Sequence, residues 1–133
     1  DLPHIVHCPG SHAYFNHRPF PFTKLAGMGL NICIGTDSLA STDSLSLLKE
    51  LRRFHALHPN LSAEDLLETI TLAPARALQK SGELGCIQPG SIADLIAIPF
   101  TDSQRSAAET VVHYEKTIPW RMIDGKLRSF PSS

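Results

Sequence analysis

The chain has 133 residues, a formal net charge of −1 at pH 7, 42% hydrophobic and 19% charged residues. That balance suits a buried α/β segment and excludes a disordered chain. The 12 scattered Lys and Arg form no basic stripe for nucleic acid and no cationic helix for a membrane surface, and no apolar run reaches the ~18 residues of a transmembrane span. Cys8, Cys33 and Cys86 are far apart and odd in number, the pattern of reduced thiols in a cytoplasmic protein. No CxxC or HxxxH pair offers a self-contained zinc site, and no secretory signal pattern opens the chain at Asp1.

The first predicted element is a strand over 2–7, apolar-rich and broken by Pro9. It delivers His7, Ser11 and His12 into a loop running to about residue 19, which also carries Tyr14, Asn16 and His17. That loop reads equally as a pocket lining or as a solvated turn. Residues 21–29 predict a short helix, opened by Pro21 and Phe22, apolar through Leu25, Ala26 and Met28, and ended by Gly27 and Gly29. A second strand follows over 31–34, so the two strands and the helix make a βαβ unit, expected to be parallel. Gly35-Thr36-Asp37 then ends the strand on one carboxylate, with Ser38, Leu39, Ala40 and Ser41 behind it. Parallel α/β folds place their chemistry at that end of a strand, and the plainer reading is a helix-capping Asp.

Residues 41–44 offer several N-caps for the next helix, with Asp43 as a helix-start residue. Its apolar face is Leu47, Leu48, Leu51 and Phe54, while Lys49, Glu50, Arg52 and Arg53 point mostly elsewhere. His55 and His58 sit near its end, where cations suit the helix dipole and nothing nearby completes a metal site. Ser62 and Asp65 form a predicted capping box, with Leu61 stapling onto Leu66; Leu66, Leu67 and Ile70 are the buried side. Pro74 opens a short helix to about residue 80, which Gly82 and Gly85 close. Beyond it the sequence turns strand-like, over 92–98, 111–114 and 117–123, with a polar loop over 101–106. Pro119 confines the last of these to an edge or a late start. Asp124-Gly125 is a hairpin turn, and 126–130 returns as a short strand.

Several of these stretches recur together. His7-Cys8-Pro9-Gly10-Ser11, the Ala26-Gly27 helix end, Gly35-Thr36-Asp37, Ser44-Leu45, Glu50-Leu51-Arg52, the run 71–78, Pro89-Gly90-Ser91-Ile92-Ala93-Asp94-Leu95 and Met122-Ile123-Asp124-Gly125-Lys126 stand in one order. That order resembles the C-terminal part of the metal-dependent amidohydrolase superfamily. It is most similar to the cytosine-deaminase-like branch, with its nucleoside and guanine deaminases and triazine chlorohydrolases. One departure is His12, where the family carries Asn.

The resemblance implies an α/β fragment: residues 1–84 as the last βα units of a (β/α)8 TIM barrel with its final helices, and residues 85–133 as C-terminal strands of a small β-sandwich. A complete barrel takes ~250 residues. The resemblance makes Asp37 both a metal ligand and the catalytic base that takes a proton from the attacking water. It places Ser38, His12 and His7 on the substrate side, His7 as an orienting or packing residue. The implied cofactor is a divalent metal, zinc or else iron, whose other ligands lie outside this chain. The implied reaction is hydrolytic deamination of an amino-substituted heterocycle or nucleoside-like small molecule. The alternatives are another C–N or C–Cl hydrolase, or, for the isolated residues, a non-catalytic oligomerising module. Nucleic acid and membrane are not expected partners; the rest of a parent chain, or a homo-oligomer, is expected to cover the open strand edges.

Overall fold

Two short apolar runs form strands because each is bounded by residues that end it. In the computed structural model, which describes residues 3–100 and 104–128, they are β1 (His4–His7) and β2 (Asn31–Ile34). They pair in parallel, His4 opposite Asn31 and His7 opposite Ile34, as the βαβ reading expected. Residue 2 of the predicted first strand lies outside the described residues.

The crossover holds two helices rather than one. The stretch after β1, expected as a loop, is helical over α1 (Pro9–Tyr14), followed by α2 (Phe22–Gly27). Pro9 explains the correction: at the first helical position its fixed φ suits the helix and its missing N–H costs nothing. Asn16, at φ +52°, ends the turn behind it.

The longest helix is α3 (Leu47–Leu57), capped by Ser46, whose hydroxyl accepts the Lys49 N–H at 3.3 Å. The cap is therefore not within 41–44, and Asp43 stands outside the helix, where it pairs with Lys49 and Arg53. The buried face is also turned from the one expected. Leu48, Glu50, Leu51 and Phe54 are buried, whereas Leu47 is 41% exposed. The capping box of α4 (Ala63–Glu68) forms as read, between Ser62 and Asp65. The next helix, α5 (Leu72–Ala77), begins earlier than Pro74. Gly85 at φ +77° closes the turn that follows, and a Cβ there would stand 2.4 Å from the Thr71 carbonyl oxygen, so only glycine fits.

Ile34, Leu51, Phe54, Leu66 and Val112 form the core, with Phe20, Phe22, Leu61 and Ile70 packed around it. Each large side chain buried in this way contributes roughly 1.5–3 kcal/mol relative to exposure. Both ends of β2 are anchored to this layer. Ile34 N–H donates to the Thr69 carbonyl at 3.0 Å, and the Asn31 amide donates to the Ala73 carbonyl at 2.8 Å.

The tail makes a second, antiparallel sheet of β3 (Leu95–Ala97), β4 (Trp120–Ile123) and β5 (Lys126–Leu127). The strand begins only after Pro119, and Asp124 and Gly125 both take positive φ, as a tight hairpin needs. Asp94 accepts the Asp124 N–H at 2.7 Å and steadies that turn. Residues 129–130 of the last predicted strand, and 101–103 of the predicted loop, lie outside the described residues. The strand expected over 111–114 is not one. Residues there end α6 (Ala107–Val112), nucleated by a Ser106–Glu109 capping box, and α6 packs on α3 and α4. The valine pair looked strand-like, but burying Val112 completely in the helical core outweighs so weak a local preference. Among the described residues no helix is long and apolar enough to cross a membrane.

Candidate active site

The carboxyl end of β2 carries the most distinctive local chemistry. Gly35 N–H continues the parallel ladder to the His7 carbonyl at 2.9 Å. A Cβ at Gly35 would lie 2.9 Å from Val6 Cγ1 and 3.2 Å from Cys8 Sγ, so the close approach of the two strands there relies on glycine. Two residues later Asp37 takes φ +57°, a left-handed conformation that Asp tolerates better than most residues but that still costs about 1 kcal/mol or more.

Two hydroxyls hold the Asp37 side chain. Ser11 Oγ donates to Oδ2 at 2.7 Å, and Ser41 Oγ donates to the same oxygen at 3.3 Å. The Ser11 hydrogen bond, chiefly, holds the carboxyl below the usual carboxylate range, with the Ser38 and Ser41 contacts adding to it against partial desolvation. The result is an exposed, ionised oxygen donor pinned from one side. Ser11 is buried on α1, and Ser41 is buried in the turn whose Ser41 and Thr42 N–H groups bond the Ser38 carbonyl.

The other expected residues make contacts of their own. The Ser38 side chain accepts the Ala40 N–H at 3.4 Å, so its contribution to Asp37 comes from the backbone and not from the hydroxyl. His12 donates from Nε2 to the Arg18 carbonyl at 2.7 Å and meets the His7 ring edge-on, centroids 5.0 Å apart. His7 is buried and stacks flat on Phe20 at 4.0 Å, with Phe54 against its edge. Its Nε2 is buried without a hydrogen-bond partner. His55 faces His113, and His58 packs on Phe22 and Phe54.

The environment of His7 has a consequence for stability. Burial, reinforced by His12 and His58, pushes its pKa down to about 4 from 6.5. The folded state therefore refuses a proton that the unfolded chain accepts below pH 6.5. The His7 contribution to stability is expected to fall as pH drops from 6.5 towards 4, by up to about 3 kcal/mol, and then to level off. Urea unfolding of the full-length protein at pH 7 and pH 4.5 measures this. His7→Leu should flatten that part of the pH dependence, and an unchanged slope in the variant would contradict it.

All three cysteines are free. Burial, with the nearby Asp37 charge, pushes the Cys8 thiol up, and burial does the same to Cys33. Both stay protonated near neutrality and are poor nucleophiles.

Sequence reasoning missed two features of this region. It treated Ser41 as a helix cap rather than a partner of Asp37. It also placed Glu50 on the outward face, whereas Glu50 is wholly buried and accepts the Gly10 N–H at 2.6 Å. The signal was present in the Glu50–Arg53 spacing, which puts a counter-charge one turn away on α3.

The chain is similar in sequence and in fold to known proteins. The 5-methylthioadenosine/S-adenosylhomocysteine deaminase of Pyrococcus furiosus is 37% identical over 101 residues, 71% of this chain and 24% of that protein. An adenosine deaminase from Xanthomonas campestris, solved with bound zinc, superposes with a TM-score of 0.81 at 27% identity, covering 92% of this chain and 31% of that one. The E. coli guanine deaminase shares the fold, with a TM-score of 0.81 at 20% identity over 96% of this chain and 33% of its own. The chain thus spans about a quarter to a third of the length of these relatives (24%, 31% and 33%). Residues 1–127 match the amidohydrolase family, and the chain belongs to that family.

Proposed function

We propose that these residues are the C-terminal part of a metal-dependent aminohydrolase, in which Asp37 is a metal ligand and the catalytic base. The observation that carries the reading is the carboxylate itself. It stands just beyond a parallel strand, is exposed, and is held ionised through Oδ2 by two serine hydroxyls. Among the described residues no group of three His, Cys, Asp or Glu side chains is placed to hold a metal. Asp37 therefore fits a divalent metal as one anionic oxygen ligand, and the remaining ligands come from outside these residues. Zinc is the metal of this reading; the name of the Xanthomonas relative supports it. When bound, such an ion supplies Lewis acidity that makes water a nucleophile near neutral pH.

The work of this chain is then to hold and move a proton. The Asp37 carboxylate accepts the proton lost by the attacking water and passes it to the departing amine nitrogen. Ser11 and Ser41 keep the acceptor in one orientation. In the same reading β1 and β2 are the last strands of an eight-stranded βα barrel, residues 85–133 contribute strands to a small sandwich, and the free thiols belong to a reducing cytoplasm. The substrate class is an amino-substituted purine or nucleoside, which the deaminase names of the relatives support.

The test is ammonia release by the zinc-loaded full-length protein from 5-methylthioadenosine, S-adenosylhomocysteine, adenosine and guanine. Release of one ammonia per substrate consumed is expected from at least one of them. Chloride release from a chlorotriazine with no ammonia from any purine would replace deamination with the chlorohydrolase reading.

A further inference from the structure

We infer that Glu50 is a positioning residue for Asp37, acting through Ser11 and Ser41. The inference rests on the role of Asp37 proposed above. Glu50 is on α3, and its side chain is wholly buried. Oε2 accepts the Gly10 N–H at 2.6 Å, Oε1 accepts the Thr42 hydroxyl at 3.3 Å, and Arg53 Nη1 pairs with Oε1. Arg53 also donates to Thr42 Oγ1 at 3.1 Å and, through Nη2, to Asp43 at 2.6 Å. One ion pair on α3 thus fastens α1 and the turn after Asp37 together.

The two fastening points are the immediate neighbours of the residues that hold Asp37. Gly10 precedes Ser11, and Thr42 follows Ser41. Each hydroxyl on Asp37 Oδ2 is therefore one residue away from a contact with the Glu50–Arg53 pair. The fit is close. A Cβ at Gly10 would stand 2.4 Å from Arg53 Nη1 and 2.6 Å from both Glu50 Oε1 and Thr42 Oγ1. Such a pair is a weak source of stability, because taking the Glu50 charge out of water largely offsets its attraction to the partly exposed Arg53. What it supplies is a single geometry for two separate chain segments, with directional hydrogen bonds that a well-packed apolar contact would not provide.

The test is a double-mutant cycle in the zinc-loaded full-length protein, with 5-methylthioadenosine as substrate and zinc affinity measured separately by competition with a chromophoric chelator. Ser11→Ala and Glu50→Leu are each expected to lower kcat about tenfold with KM little changed, and the double variant should lose about tenfold rather than a hundredfold. Zinc affinity should show the same non-additivity. Glu50→Gln, which keeps one acceptor oxygen for the Gly10 N–H and can turn its NH2 toward Thr42 Oγ1 but loses the ion pair with Arg53, should recover only part of the loss. If Glu50→Leu does not fold, Thr42→Val paired with Ser41→Ala takes its place in the cycle with the same expectation, because Thr42 adjoins Ser41.

Multiplicative losses, or full kcat and zinc affinity in the Glu50 or Thr42 variant beside an inactive Asp37→Asn, would overturn the role of Glu50 alone. Full turnover in Asp37→Asn would instead overturn the reading of Asp37, and this inference with it.

Discussion

Asp37→Asn in the zinc-loaded full-length protein is expected to lower kcat by roughly 10³-fold, within the range a positioned general base contributes. The substitution is close to isosteric. The Asn side-chain oxygen can still accept the Ser11 and Ser41 hydroxyls that now bind Oδ2. Asn also adopts the left-handed backbone that Asp37 occupies at φ +57°. The side chain is exposed, so no buried charge is left unpaired when it becomes neutral. The fold should persist, with an unchanged thermal midpoint for the metal-free protein. What disappears is the capacity to take a proton at neutral pH, together with one negative charge facing the metal. Measuring kcat at matched zinc occupancy separates these two losses. A variant with near-wild-type kcat would remove Asp37 from the chemistry.

How much of this was legible in the sequence depended on how local each cause is. Ile32 to Ile34 ended by Gly35 reads as a buried strand, and it is β2. Ser62 with Asp65 reads as a capping box, and both of its hydrogen bonds form. These features are decided within four or five residues. The helix at α1 was missed because its short polar sequence carries no apolar stripe; Pro9 and the Gly10 contact to a residue 40 positions away decide it. The Val111–Val112 pair was misread because β-branched residues favour strands only when nothing larger competes. Here a capping box and the burial of Val112 beneath α3 and α4 compete and prevail.

The candidate site divides in the same way. Asp37 stood out as a lone carboxylate after a strand. Its partners did not, since a serine that bonds a carboxylate 26 positions away has no local signature. Glu50 was hidden by its own helix. A charged residue beside an apolar stripe is normally solvated, and only a counter-charge on the same helix and a glycine N–H make the interior tolerable. His7 illustrates the converse. At the end of its strand it reads as an orienting or packing residue on the substrate side, and its ring packs against Phe20 and Phe54.

Residues 1–133 produced alone are expected to self-associate, to hold no stoichiometric zinc and to release no ammonia. Among the described residues β1 and β2 form a sheet of only two strands. Parallel sheets normally carry more strands and are covered on both faces. Here Val6 on β1 is 62% exposed, and the second sheet leaves Ile96, Ile123 and Leu127 between 47% and 64% exposed. Exposed apolar edges of this kind recruit another chain, because unpaired strand N–H and C=O groups find their partners there and apolar area leaves water at the same time. The core of Leu51, Phe54, Leu66 and Val112 is well buried, so the helical layer should keep its helicity while the sheets associate. Zinc retention fails for a separate reason. A stable zinc site needs three or four protein ligands, and among the described residues no such group of side chains is gathered near Asp37 or elsewhere. Light scattering after size exclusion reports the mass, metal analysis after dialysis reports the zinc, and coupled detection reports the ammonia. A monomer carrying one zinc ion per chain and turning over 5-methylthioadenosine would show that these residues suffice, and would place the missing ligands within this chain.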